Sequence, residues 1–270
     1  MTVFLRGTLA FAGTVALSLC LHTHAQSAPA PEAVASQPDS VADQTVTLTA
    51  KQAHSYRRMM KDWADLERYR AEDAVYPPPV LDEHRVVFLG DSITDRWGRK
   101  DGAFFPGKPY LNRGISGQTT PQMLVRFQQD VVSLHPEAVL ILAGINDIAG
   151  NTGDESMADI QNNFRSMVEI AKASHIRVIL ASTLPASTLP WRPTVQPAEA
   201  VRTLNAWLQQ LAEREHLVYC NYYPALANAQ GGMREELAFD RAVHPNSEGY
   251  QLMTPIAEDA IRRSLAMPKP

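Results

Sequence analysis

The sequence predicts an α/β fold in which a parallel sheet is covered by helices on both faces. Two observations lead to this prediction: short runs of apolar and β-branched residues recur from residue 85 onward, and longer segments with helical spacing of apolar residues separate most of them. Strands that are apolar almost throughout are typical of parallel sheets, because both faces of such a sheet are buried. No internal repeat at a fixed period is found, which excludes solenoids and propellers.

The predicted strands and helices follow one another as in repeated strand–helix–strand units. The expected strands are residues 85–89, 110–112, 138–142, 177–181 and 217–221. The expected helices are residues 121–134, 158–174, 198–215 and 248–265. We therefore expect one domain over residues 76–270.

A separate helical segment precedes this domain. Thr49 and Gln52 have the spacing of a capping box, and apolar or aromatic residues then recur every three or four positions as far as Leu66. The pattern predicts an amphipathic helix within residues 46–75, ending near Arg70, that packs on the domain. Aromatic residues at helical spacing are usually buried, so we expect Trp63 and Tyr69 to be docking residues.

The first residues are typical of an export signal. Arg6 provides a positive charge, an apolar run follows, and Thr23-His24-Ala25 is a small-x-Ala cleavage site, so residues 1–25 are predicted to be a cleaved signal peptide. Residues 26–45, rich in Ala, Pro and Ser, are predicted to be a flexible linker. The expected location is secreted or periplasmic, with no transmembrane segment after signal removal. A lipid anchor on Cys20 is the less favoured alternative, because Leu19 is large where such anchors have a small residue.

Composition and charge exclude several classes of protein. The chain has 270 residues, of which 45% are hydrophobic and 20% charged, as in ordinary globular proteins. With 25 Lys and Arg against 29 Asp and Glu, the formal charge is −4, so no nucleic-acid partner is expected. Only two cysteines, Cys20 and Cys220, are present, which excludes a thiolate metal cluster. Oligomeric state is not predicted.

Polar blocks follow the predicted strands. The carboxyl ends of parallel strands meet at one edge of a sheet, where ligands bind, so we expect these blocks to lie close together. They are Gly90-Asp91-Ser92-Ile93-Thr94, Asn112-Arg113-Gly114-Ile115-Ser116-Gly117 and Ala143-Gly144-Ile145-Asn146-Asp147, with His244-Pro245-Asn246 near the end of the chain.

These residue types fit acyl transfer by a serine nucleophile. Ser92 at a strand-to-helix turn would direct its hydroxyl into the crevice, and His244 would accept the hydroxyl proton and return it to the leaving alcohol. The negative oxygen of the intermediate requires hydrogen-bond donors. The expected donors are the backbone N–H groups of Ser92 and Gly114 and the side chain of Asn146. Activity should fall on acidification as His244 becomes protonated.

The four blocks, in this order, resemble those of the SGNH hydrolases, also called the GDSL esterase/lipase family, over residues 85–261. The resemblance implies a flavodoxin-like three-layer α/β/α sandwich with a five-stranded parallel sheet. It also implies that Ser92 is the nucleophile and the first oxyanion donor, that Gly114 and Asn146 are the other donors, and that His244 is the base. Neither a metal nor an organic cofactor is expected for this mechanism.

The sequence departs from the family at the acid of the triad. The family usually places an aspartate three residues before the histidine, where this chain has Arg241, and the nearest acid is Asp240. An arginine would oppose an imidazolium by like charge. Three alternatives remain: a one-residue bulge lets Asp240 reach His244 Nδ1, a backbone carbonyl orients His244, or another acid such as Glu236 takes this place. We favour the bulge.

The substrate is predicted only by class. Asp91, Trp97 and Trp191 are candidates for contact with substrate, although each tryptophan could equally anchor its own loop. We expect an exported serine esterase that removes short acyl groups, acetyl foremost, from carbohydrates or small alcohols. The alternatives are a non-catalytic carbohydrate-binding or assembly protein with the same fold, and an acyltransferase or lysophospholipase that uses the same site.

Overall fold

Five parallel strands form one sheet in residues 47–270, the part of the chain that the computed structural model describes. The predicted signal peptide, the linker and Cys20 lie outside the described residues. The strand order is β2-β1-β3-β4-β5, as in flavodoxin-like folds, so the predicted fold class is confirmed. The strands are β1 (Val86–Gly90), β2 (Tyr110–Gly114), β3 (Ala138–Leu142), β4 (Arg177–Ala181) and β5 (Val218–Cys220).

The helices connect and cover these strands, and the four long helices predicted from the sequence are present within a few residues of their expected bounds. Three helices of a single turn were not predicted, because four or five residues are too few to show a periodic pattern. None of the described helices combines the length and apolar character that crossing a bilayer requires. The described helices are α1 (Ala50–Lys61), α2 (Glu67–Val75), α3 (Ser92–Arg96), α4 (Thr120–Asp130), α5 (Ile145–Ile148), α6 (Met157–Ala173), α7 (Ala198–Arg214), α8 (Tyr223–Leu226) and α9 (Ser247–Leu265).

The sheet has an apolar core on each face. Successive side chains of a strand point to opposite faces, so Val87 and Leu89 of β1 join one core and Val86 and Phe88 the other. The first core is closed by α4, α6 and α7, and the second mainly by α9. Burial on both faces explains why the strands are apolar almost throughout. The three-layer arrangement leaves the carboxyl ends of the strands open for a site.

The segment before the domain contains two helices, so the single helix expected within residues 46–75 is wrong. Asp62 ends the first helix: its two carboxylate oxygens accept the N–H groups of Leu66 at 2.8 Å and Glu67 at 2.9 Å. Asp65 has a left-handed backbone conformation, with φ of 55°, which helical residues cannot adopt. The hydrogen bonds of the Asp62 carboxylate and the left-handed Asp65 therefore interrupt the helix that the apolar spacing predicts.

The two aromatic residues of this segment differ in burial. Tyr69 in α2 is 1% exposed and docks on the domain, as expected. Trp63, between α1 and α2, is 41% exposed, so the expectation that it is a buried docking residue is wrong.

Candidate active site

Ser92 lies at the sharp turn between β1 and α3 and is the first residue of α3. Asp91 caps this helix, because its Oδ1 accepts the N–H of Ile93 at 2.9 Å. The turn also requires glycine at Gly90, where a Cβ would lie only 2.1 Å from Thr94 Oγ1. The Ser92 N–H, at the first position of a helix, is left outside the internal hydrogen bonding of that helix. The turn thus presents a hydroxyl and an N–H from one residue, and this N–H has no acceptor among the residues that the structure describes.

His244 reaches this serine from the loop before α9. Its Nε2 lies 2.8 Å from Ser92 Oγ, although 152 positions separate the two residues in the sequence. The loop is closed on itself, since Phe239 N–H donates to the carbonyl of His244 at 3.0 Å and Ala238 pairs with Pro245 as an antiparallel bridge. The structure therefore brings together the predicted nucleophile and the predicted base.

Asp240 contacts the other nitrogen of the imidazole. Its Oδ2 lies 2.6 Å from His244 Nδ1. Its Oδ1 accepts three backbone N–H groups, from Ala242 at 3.1 Å, Val243 at 2.9 Å and His244 at 3.0 Å. The backbone of its own loop thus fixes the orientation of the carboxylate that contacts the histidine.

The bulge expected at Arg241 is visible in its backbone. Arg241 has a left-handed conformation, with φ of 59°, which inserts the extra residue between the acid and the histidine. Its side chain is 76% exposed and pairs with Glu235, away from the imidazole. Glu236, the alternative acid, is 66% exposed and pairs with Arg234. Of the three sequence-based alternatives, the geometry matches the one in which Asp240 reaches Nδ1.

The environment of Asp240 keeps it ionised. Burial alone would raise the pKa of this carboxyl, but the hydrogen bonds from the His244 side chain and from the three backbone N–H groups outweigh burial. The resulting pKa lies well below the ordinary aspartate value. A permanent negative charge beside Nδ1 favours a positive imidazole, which is the form that follows proton transfer from a serine.

Asn146 offers a fixed side-chain donor. It lies two residues after Gly144, whose φ of 109° suits glycine, and it is 2% exposed within α5. Its Nδ2 donates to the carbonyl of Gln118 at 3.0 Å, and its Oδ1 accepts from Asn151 Nδ2 at 2.8 Å. These two bonds fix which way the amide faces. The second Nδ2 hydrogen remains available to a substrate oxygen.

Gly114 is not the second oxyanion donor, so this sequence-based prediction is wrong. Its N–H already donates to Asn112 Oδ1 at 2.9 Å, and its carbonyl accepts from Tyr69 Oη at 2.5 Å. Glycine is required here because a Cβ would lie 2.1 Å from Asp95 N in the adjoining helix. Three residues on, the N–H of Gly117 has no acceptor within residues 47–270, and a Cβ there would meet only open space.

Two of the three candidate substrate contacts are buried, so these predictions are also wrong. Trp97 is 2% exposed, its ring stacks on Tyr250 at 5.0 Å between centroids, and its Nε1 donates to the carbonyl of Ala103 at 3.1 Å. Asp91 is fully buried and acts as a helix cap. Neither side chain can contact a substrate in the crevice.

The third candidate, Trp191, does lie at the site. Its ring is 5.8 Å from that of His244, it is 37% exposed, and its Nε1 donates to Asn151 Oδ1 at 3.1 Å. Sequence reasoning missed two other residues at the site. Phe239 lies 5.5 Å from the His244 ring and is half-exposed, and Asn151 ties the Trp191 loop to Asn146. Neither belongs to a motif block or a periodic pattern, so no sequence signal marked them.

No group of three His, Cys, Asp or Glu side chains in residues 47–270 is arranged to hold a metal ion. The residues that converge here are instead a hydroxyl, an imidazole, a carboxylate and amide donors. These are the components of acyl transfer.

Comparison with known proteins agrees with this chemistry. Residues 88–252, which include Ser92, Asn146 and His244, match the model of the GDSL-like Lipase/Acylhydrolase family. The chain belongs to this family. A crystal structure of a GDSL-like lipase from Bacteroides thetaiotaomicron is similar, with 40% sequence identity and a TM-score of 0.72 over 74% of this chain and 98% of that chain. Family membership confirms the resemblance found in the sequence.

Two curated relatives match over shorter stretches. An acetylxylan esterase of Geobacillus stearothermophilus is 33% identical over an alignment of 88 residues, and the match covers 24% of this chain and 40% of that protein. An uncharacterized lipoprotein of Bacillus subtilis, YqeF, is 35% identical over 78 residues, which are 28% of this chain and 32% of that protein. This chain thus matches less than half the length of each curated relative.

Proposed function

We propose that this family member is an exported serine esterase that hydrolyses short-chain acyl esters, acetyl esters foremost, of carbohydrates or small alcohols. The observation that carries the proposal is the unbroken series of contacts from Ser92 Oγ through the imidazole of His244 to the carboxylate of Asp240, at 2.8 and 2.6 Å. These distances are within the range of a nucleophile, a general base and the group that orients the base.

In the first half of the reaction, Ser92 Oγ attacks the ester carbonyl carbon while His244 Nε2 takes the hydroxyl proton. The ionised Asp240 stabilises the resulting imidazolium through Nδ1. When the tetrahedral intermediate collapses, the bond to the alcohol oxygen breaks and the imidazolium returns the proton to that oxygen. The alcohol leaves, and the acyl group stays on Ser92 as an ester.

In the second half, a water molecule repeats the attack. His244 takes a proton from the water, the hydroxide adds to the acyl carbonyl, and collapse breaks the bond to Ser92 Oγ. The proton passes to the serine oxygen, and the carboxylic acid leaves. The enzyme returns to its starting state, and one ester and one water have become one acid and one alcohol.

The developing oxyanion is stabilised by three N–H groups: the backbone of Ser92, the side chain of Asn146 and the backbone of Gly117. Gly117 takes the place expected for Gly114, because its N–H has no acceptor among the described residues. Donors that are already oriented cost no reorganisation during the reaction, and each contributes about 3 kcal/mol in comparable sites. The two hydrogen bonds that fix Asn146 support its part in this group.

The choice of acyl group and of location is supported by the curated relatives and by the N-terminal sequence. The acetylxylan esterase relative favours acetyl groups on a carbohydrate. The export signal read from residues 1–25 and the lipoprotein relative favour a location outside the cytoplasm. Export is tested by the mass of the protein recovered outside the cytoplasm, which should begin at Gln26.

The serine mechanism is tested with the Ser92→Ala variant on p-nitrophenyl acetate. Turnover should fall by at least about 10³-fold, because no nucleophile remains and only the donors and binding still act. Mass spectrometry of the stopped wild-type reaction should show one acetyl group on the peptide that contains Ser92. The matched control is Ser133→Ala, a change at an exposed serine between α4 and β3, and it should leave turnover unchanged. Equal rates for wild type and Ser92→Ala would refute the proposal.

Product analysis separates hydrolysis from acyl transfer. With glycerol added, free acetate should remain the main product. Acetylglycerol as the main product would instead identify an acyltransferase with the same catalytic residues.

A further inference from the structure

A cavity of about 350 Å³ lies beside Gly117 and Asn151, between the helical segment that precedes the domain and the loop that follows β2. Its volume is within the range of small-molecule sites, about 300–1,000 Å³. One wall of the cavity, here called the first wall, is formed by residues 59–65. These residues precede position 88, where the family match begins. The residues that matter for the argument are Asp62, Trp63, Asp65, Gly117, Asn151 and Thr152.

The first wall is held in place by hydrogen bonds to its backbone. Three glutamine side chains from the α4 region donate to carbonyl oxygens of the turn between α1 and α2, so this turn is fixed relative to the domain. A wall that is already formed loses little conformational entropy when a ligand binds. The three bonds run from Gln122 Nε2 to Trp63 O at 2.6 Å, from Gln118 Nε2 to Ala64 O at 2.7 Å, and from Gln129 Nε2 to Leu66 O at 2.8 Å.

Two residues connect the cavity to the proposed oxyanion donors. Gln118 holds the turn through its side chain, and its carbonyl accepts from Asn146 Nδ2. Asn151 lines the cavity, and its Nδ2 donates both to Asn146 Oδ1 at 2.8 Å and to the carbonyl of Gly117 at 3.2 Å. A group bound in the cavity therefore lies next to the point where the ester carbonyl is held.

The lining combines one exposed aromatic ring with hydrogen-bonding groups. Trp63 is 41% exposed, and around it lie the carboxylates of Asp62 and Asp65, the amide of Asn151 and the hydroxyl of Thr152. A pyranose ring has a face of C–H groups that stacks on an aromatic ring and a rim of hydroxyls that donate to carboxylates. A long acyl chain would instead displace water from these carboxylates without replacing the hydrogen bonds to that water, which is unfavourable.

From this lining we infer that the cavity is a subsite for a neutral sugar unit in the alcohol half of the ester, with Trp63 as the stacking surface. The inference rests on the proposed esterase function and extends it to the substrate class. Negatively charged sugars are disfavoured, because Asp62 and Asp65 would repel them.

The subsite is tested by the Trp63→Ala variant with two substrates, acetylated xylo-oligosaccharides and p-nitrophenyl acetate. With the oligosaccharides, kcat/KM should fall about tenfold, mainly through a higher KM, because a stacked ring is lost. With p-nitrophenyl acetate, which has no sugar, kcat/KM should stay within about twofold. Trp63→Phe keeps an aromatic face and should retain most of the oligosaccharide activity.

The matched control is Met60→Ala, since Met60 is 88% exposed in the same segment and does not line the cavity. It should change neither rate. Thermal unfolding of each variant checks that the fold is retained.

Several outcomes would overturn the subsite. They are an equal loss on both substrates, no loss on the oligosaccharides, a larger loss on p-nitrophenyl octanoate, or a wild-type enzyme that does not cleave the oligosaccharides at all. None of these touches the serine mechanism, which fails only if Ser92→Ala remains active. The two failures are therefore distinguishable.

Discussion

Two turns of the molecule each contain an aspartate near a proposed catalytic residue, and the pKa values of the two aspartates are shifted in opposite directions. Asp240, in the turn before His244, receives four hydrogen bonds, and its pKa is held below the ordinary value despite partial burial. Asp91, in the turn before Ser92, is fully buried and accepts the N–H of Ile93, and burial raises its pKa to about 6. Its Oδ2 has no hydrogen-bond partner within residues 47–270.

The difference shows that the balance between burial and hydrogen-bond donors, and not proximity to the site, determines the charge state of a carboxyl. Asp240 keeps its charge, so it can stabilise an imidazolium on His244. Burial disfavours the charged form of Asp91, so its contribution is the helix cap that orients the turn at Ser92. The turn before His244 keeps a charged carboxylate, whereas the turn before Ser92 uses its carboxyl to position the backbone.

The largest expected effect is on turnover, and it distinguishes the turn before His244 from the turn before Ser92. Asp240→Asn should lower kcat on p-nitrophenyl acetate by about 10²–10⁴-fold, because the amide cannot stabilise the imidazolium and favours the wrong tautomer. The measurement is steady-state kinetics at pH 7.5, with circular dichroism to check the fold. Turnover within threefold of wild type would mean that the Asp240 carboxylate is not the group that orients the base.

The second effect concerns the free energy of unfolding. The two aspartates are expected to change it with pH in opposite directions. The folded state keeps a proton on Asp91 between the ordinary pKa of 3.8 and about 6, whereas the unfolded chain has lost it. Stability should therefore fall as pH rises through this window, by about 3 kcal/mol in total. Asp240 has a lowered pKa, so its contribution is present above the ordinary aspartate value and is lost only as pH falls below it.

Urea unfolding of wild type, Asp91→Asn and Asp240→Asn at several pH values from 4 to 7 measures these slopes. Relative to wild type, Asp91→Asn should gain stability as pH rises through this range, because its amide carries no charge. The difference between wild type and Asp240→Asn should stay nearly constant over the same range. Parallel curves for wild type and Asp91→Asn would contradict the contrast between the two turns.

A smaller effect is expected on activity. Asp91→Asn keeps an oxygen that can accept the N–H of Ile93, so the cap and the position of Ser92 should survive and kcat should fall by no more than about tenfold. Asp91→Ala removes the cap and should lower the melting temperature more than Asp91→Asn does. If Asp91→Asn lost as much turnover as Asp240→Asn, then Asp91 would have a direct part in the chemistry.

Much of this site follows from the sequence, because strand ends and residue types carry the information. Apolar runs located the sheet, and the polar blocks after β1 and β3 contained Ser92 and Asn146. The bulge that brings Asp240 to His244 was one of three alternatives, since a left-handed residue such as Arg241 is defined by its backbone and not by its side chain.

What failed depended on contacts between distant residues. Gly114 and Gly117 stand in one turn, and only the fold shows that the Asn112 side chain bends back to occupy the first N–H. Trp97 looks like a crevice residue until α9 places Tyr250 against its ring. Local patterns cannot specify which of two similar groups is already satisfied by a partner elsewhere.

The smallest effect is expected at Arg241, the left-handed residue between Asp240 and His244. Its side chain is exposed and directed away from His244, so Arg241→Gly should keep kcat within about twofold of wild type. Glycine adopts positive φ without a steric cost, so the melting temperature should stay equal or rise slightly, whereas Arg241→Ala keeps a Cβ in that conformation and should be the less stable of the two. Differential scanning fluorimetry and p-nitrophenyl acetate kinetics measure both. A large loss of turnover in Arg241→Gly would show that the pair with Glu235 holds the loop, and that the backbone bonds to Asp240 do not suffice.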